Sequence, residues 1–148
     1  MRSKMTWQIL PLLVASVVAL AGCGGQVAAP AAQPAVEVSE LRLENLPVEV
    51  DAATVDKLRQ RDDVVIIDVR EDWEYNDGHI PGATLVPLGQ IPDRLAEIPQ
   101  DKTVVAVCRS GNRSSQATDF LRQQGFENVH NMVGGMNAWS QAGYQIEK

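Results

Sequence analysis

The chain opens with an apolar run, Ile9 to Ala21, broken only by Pro11 and Ser16 and preceded by Arg2 and Lys4. The run is shorter than the roughly 20 apolar residues that a spanning helix needs. A short basic start before a short apolar core predicts a secretory signal, not an element of the fold. Gly24 to Glu40 is rich in Ala, Pro and Gln and has neither helical nor strand periodicity, so it reads as a flexible tether.

From about Leu41 the pattern changes. Pro47 to Val50 predicts a short edge strand, with Asp51 placed to cap a helix through Arg59. In that helix Ala52, Val55 and Leu58 make one apolar stripe. Val64 to Val69 is a continuous run of the kind expected in a strand buried on both faces. Thr84 to Val86 is a short strand, and Ile91 to Ile98 a helical turn or two ended by Pro99. Thr103 to Val107 is another apolar strand. Ser114 to Gln124 predicts a helix with Ala117, Phe120 and Leu121 on one face and Gly125 as its stop. Asn128 to Met132 predicts a last strand, and Gly135 to Ala142 a last helix. Strands alternating with helices predict an α/β fold with a parallel sheet covered on both faces. Ligands of such a sheet bind at the carboxyl ends of its strands.

Composition narrows the class. The chain has 148 residues, 45% hydrophobic and 22% charged, which fits one folded domain without an internal repeat. A net charge of −6 excludes a broadly basic nucleic-acid binder and leaves room for a local cationic pocket. Two cysteines and two histidines offer neither a disulfide-dense scaffold nor a zinc cage, so no metal is expected.

Leu20-Ala21-Gly22-Cys23 resembles the lipobox of bacterial lipoproteins. The resemblance implies a signal peptide over residues 1–22, lipid on Cys23, a tether over 23–40 and a folded domain over 41–148. The domain would then sit outside the cytoplasm, held at a cell-envelope membrane by acyl chains on Cys23. Loss of residues 1–22 removes Arg2 and Lys4 and no acid. It leaves 126 residues with 11 basic and 19 acidic side chains, a net charge of −8.

The candidate chemistry lies at Cys108. It ends the Thr103–Val107 strand and precedes Arg109-Ser110-Gly111-Asn112-Arg113, with Ser114 opening a helix. A strand-to-helix turn points backbone N–H groups inward and adds the positive end of the helix dipole. Gly111 permits a positive φ or a close approach, and Arg109 and Arg113 add cations. Such surroundings lower a thiol pKa and make the thiolate a nucleophile beside an anion site. A buried free cysteine can equally be a small apolar filler. Two arginines and a glycine beside it favour the nucleophile.

Cys108-Arg109-Ser110-Gly111-Asn112-Arg113-Ser114 resembles the active-site loop of the rhodanese family of sulfurtransferases. Asp68-Val69-Arg70-Glu71, with Glu74-Tyr75 and Gly78-His79-Ile80-Pro81-Gly82-Ala83, resembles that family's amino-terminal signature. Gly134-Gly135-Met136-Asn137-Ala138-Trp139 resembles its carboxy-terminal one. The resemblance implies a five-stranded parallel sheet flanked by helices. It further implies a Cys108 persulfide that takes sulfane sulfur from an anionic donor such as thiosulfate and passes it to cyanide or a thiol. Loop N–H groups would hold the sulfur, Arg109 and Arg113 would orient the donor, and no cofactor is needed.

Three other readings remain. A sulfur carrier or a binding module would keep the fold without efficient turnover. A cysteine-dependent phosphatase or arsenate reductase resembles Cys-x5-Arg, whereas Cys108 to Arg113 is Cys-x4-Arg, a smaller ring better sized for one sulfur. Asp68 and Arg70 could brace the loop, but a salt bridge around their own turn is the simpler expectation. His79 reads as turn chemistry, Met136 and Trp139 as core, and Gly134-Gly135 either as turn glycines or as a close approach to the site. His130 carries no signal.

Overall fold

In a computed structural model the described residues are 42–148. The signal, Cys23 and the tether lie outside them. Five strands form one parallel sheet: β1 (Glu49–Val50), β2 (Val64–Asp68), β3 (Thr84–Leu85), β4 (Thr103–Val107) and β5 (Val129–Met132). Their order is β1-β5-β4-β2-β3, with β4 central and the two-residue strands at the edges. Among the described residues four α-helices flank it: α1 (Ala52–Leu58), α2 (Asp72–Asp77), α3 (Asn112–Gln123) and α4 (Gly135–Gln141).

The apolar strands are central because both of their faces are buried. On one face Val105 and Val107 of β4 pack with Val55 and Leu58 of α1 and with Met136 and Trp139 of α4. On the other, Val104, Ala106 and Cys108 pack with Ala117 and Leu121 of α3. Each fully buried Val or Leu contributes about 1.5–3 kcal/mol, so the central strand is held from both sides. The β2–β4 register sets Asp68 opposite Val107. The carboxyl end of β2 therefore lies beside the residue before Cys108.

Several boundaries move, each for a local reason. The Pro47–Val50 strand shrinks to Glu49–Val50, because proline has no N–H to give a ladder. Asp51 caps α1 as expected, its carboxylate accepting the Thr54 N–H at 2.7 Å. The helical turns expected over Ile91–Ile98 are two 3-10 stretches, Leu88–Asp93 and Leu95–Glu97, with Pro92 inside the first. The helix expected from Ser114 begins at Asn112, because Gly111 at φ +98° turns the chain straight from loop to helix. Helix α2 is an addition. It is signalled by Glu71 and Glu74 at capping-box spacing, with the Glu74 carboxylate accepting the Glu71 N–H at 3.2 Å.

Candidate active site

Cys108 follows β4 directly and its side chain faces α3 beneath the loop, fully buried. The N–H of Gly111 donates to its sulfur at 3.1 Å, and the Ser114 hydroxyl lies 3.3 Å away. That hydroxyl also reaches the Gly111 carbonyl at 3.1 Å, so its single proton has two acceptors. Because α3 begins at Asn112, the Ser114 N–H belongs to the first turn and has no helical acceptor. Burial pushes the Cys108 thiol up. The Ser114 hydroxyl and the N–H groups of Ser114, Ser110 and Gly111 outweigh it and hold the thiol below its ordinary value. The sulfur thus sits at a helix amino terminus among donors that favour its ionised form.

The loop is pinned from behind by α4. The N–H of Met136 donates to the Cys108 carbonyl at 2.8 Å and that of Asn137 to the Arg109 carbonyl at 3.0 Å. These are amide groups at the amino-terminal end of α4, spent on the loop's outward carbonyls. Gly135 makes the approach possible: a Cβ there would stand 2.1 Å from the Cys108 carbonyl oxygen, with φ at +53°. The glycine pair is thus both turn and close approach.

The other candidate residues divide. Ser110 and Asn112 are exposed on the loop, and Gly111 is buried at the turn. Arg109 is exposed and makes no ion pair among the described residues. Arg113 does not stand open: its two terminal nitrogens donate to the Glu74 carboxylate at 2.6 and 2.7 Å. Asp68 and Arg70 meet in a buried pair, Nη2 to Oδ2 at 2.6 Å, and Arg70 also donates to the Gly78 carbonyl at 2.9 Å. They close the β2–α2 turn on itself and make no bond to the Cys108 loop.

Glu74 is the site residue that the sequence reading left without a role. Its signals were the capping-box spacing and its place in a stretch already singled out. His79 is structural as expected, with Nδ1 3.0 Å from the Tyr75 carbonyl and its ring stacked on Tyr75 at 3.7 Å. Buried His130, whose pKa burial lowers, sets Nδ1 2.7 Å from the Pro47 carbonyl and steadies the edge at β1.

The Rhodanese-like domain model matches residues 51–142, from α1 through β2 to β5 and this loop. The chain belongs to the rhodanese family. A sulfurtransferase of Allochromatium vinosum is 42% identical over 99 residues, covering 66% of this chain and 92% of that one. A thiosulfate sulfurtransferase of Pseudoalteromonas translucida is 38% identical, covering 58% and 82%. Among solved structures, a rhodanese-like domain protein from Staphylococcus aureus superposes with a TM-score of 0.59. It is 34% identical and covers 68% of this chain and 98% of that one. The five-stranded sheet is thus the rhodanese fold, and sulfur transfer is the activity that family membership supports.

Proposed function

We propose that this chain is a rhodanese-type sulfurtransferase that cycles through a persulfide on Cys108. The single observation that carries the reading is the Cys108 sulfur held by the Gly111 N–H and the Ser114 hydroxyl at the start of α3. In the first half-reaction the thiolate attacks the outer sulfur of an anionic donor such as thiosulfate. The S–S bond breaks, sulfite leaves with the electron pair, and Cys108 keeps the sulfur. In the second, a thiol or cyanide attacks that outer sulfur and the Cys108 thiolate returns. The loop N–H groups stabilise the charge on sulfur at both stages, because their donors are fixed before the reaction begins. Arg109, exposed at the loop, attracts the anionic donor.

Mass spectrometry of the full chain after thiosulfate or polysulfide tests this. A gain of one sulfur on Cys108, absent in Cys108→Ser, is expected. Absence of any persulfide overturns the enzyme reading in favour of a binding module. A persulfide formed without thiocyanate production from cyanide marks a carrier.

The lipobox resemblance supports placing this reaction at the outer side of a membrane, with Cys23 acylated. Cys23→Ala should then release the protein from membranes, and unchanged attachment would refute the anchor. With Cys23 consumed, Cys108 would be the one remaining thiol, unable to pair within the chain in an oxidising compartment.

A further inference from the structure

The loop carries two arginines, and the structure treats them differently. Arg113 on α3 meets Glu74 on α2 in a two-point ion pair with contacts of 2.6 and 2.7 Å. Glu74 is only 8% exposed. A glutamate this buried is held by its partner, and here three donors converge on it: both terminal nitrogens of Arg113 and the Glu71 N–H. Glu71 adds a second carboxylate within electrostatic range of Arg113, while Arg70 is spent on Asp68. Arg109 has no such partner among the described residues.

We propose that Glu74 sets donor specificity: by holding Arg113 it withdraws one cation from the sulfur site, leaving Arg109 to meet the donor, so that monoanionic sulfane donors, organic persulfides foremost, are favoured over dianions such as thiosulfate. The inference rests on the sulfur-transfer reading above and deepens it. The incoming donor faces the Cys108 thiolate, whose negative charge repels a dianion twice as strongly as a monoanion. Two open guanidinium groups would offset that repulsion, whereas one offsets half of it. An organic persulfide arrives as the monoanion R–S–S⁻, and the step balances without an oxidant. The thiolate bonds to the outer sulfur, the S–S bond breaks, its electron pair leaves on R–S⁻, and Cys108 carries S–S⁻. Glu74 touches no reacting atom and acts through Arg113, as a positioning residue.

Intrinsic donor reactivity is removed from the test by using unreactive anions. Sulfate and methanesulfonate share a sulfonate head and differ by one charge. Each is measured at low ionic strength as a competitive inhibitor of Cys108 persulfide formation from an alkyl persulfide, in the full chain. In the unmodified protein sulfate should bind no more tightly than methanesulfonate. Glu74→Gln uncovers Arg113 and should tighten sulfate about tenfold and methanesulfonate about threefold, the square-root relation expected of a charge acting on two and on one. Glu74→Gln combined with Arg113→Gln should return both constants to within about twofold of the unmodified values.

Sulfate binding more than about tenfold tighter than methanesulfonate in the unmodified protein would overturn the inference. Equal shifts, or none, in folded Glu74→Gln would do the same. If Glu74→Gln does not fold, the two constants of the unmodified protein decide alone. Persulfide loading without charge discrimination removes this inference only. Absence of loading from every donor removes the sulfur-transfer reading and this inference with it.

Discussion

Two strand-to-helix turns stand side by side at the carboxyl ends of β2 and β4, and they use similar parts for opposite ends. After β2, the Asp68 carboxylate accepts the Arg70 N–H at 3.0 Å and the Arg70 guanidinium at 2.6 Å. The turn supplies its own anion and is closed. After β4, the corresponding concavity holds the Cys108 sulfur, with the Gly111 N–H and the Ser114 hydroxyl aimed at it. That turn presents a thiol, and the arginine next to it in the chain, Arg109, faces solvent. Whether such a turn is scaffold or site depends on whether its charges are already matched from within.

The closed turn is the costlier of the two to disturb. Asp68→Asn leaves the Arg70 guanidinium buried and unmatched, which costs about 3–5 kcal/mol. Chemical denaturation should show that loss, while the folded fraction still forms a Cys108 persulfide. Loss of loading in folded protein would mean that the β2 turn belongs to the site after all. Gly135→Ala forces a methyl into the Cys108 carbonyl and should cost about 1–3 kcal/mol or more, with slower persulfide formation in whatever folds.

The open side gives smaller effects. Persulfide formation should climb tenfold per pH unit up to the lowered thiol pKa and then level off, since the thiolate is the nucleophile. Ser114→Ala removes a hydrogen bond to that thiolate and should move the midpoint about one pH unit higher. The same lowering has a stability sign. The folded thiol ionises more easily than the unfolded one, so it adds stability above the unfolded thiol pKa. That contribution disappears as pH falls through the folded value. The smallest effect is Arg109→Gln, an exposed side chain, which should raise the KM for an anionic donor about threefold and leave Tm unchanged.

Local signals made much of this legible. A run of apolar residues has to be a strand buried on both faces, so β2 and β4 stood out, and alternation with helices implied the parallel sheet. Cys108 could be placed because a strand end, a glycine and a helix start are contiguous in the chain. Helix α2 was harder, being six residues long and carrying one buried side chain, Glu74, so it has no apolar stripe to betray it. Helical turns before Pro99 were legible, but their 3-10 form was not, because local apolar spacing does not tell an α-turn from a tighter one.

By itself the sequence determined the turn around Cys108, since every part lies within seven consecutive residues, Cys108 to Ser114. Tertiary structure alone decided what the arginines do. Arg113 and Glu74 are 39 residues apart and meet only because α2 and α3 rise from neighbouring strands. A guanidinium reads the same in a sequence whether it awaits a ligand or already holds a carboxylate. Its charge is available to a substrate only if packing has not matched it first.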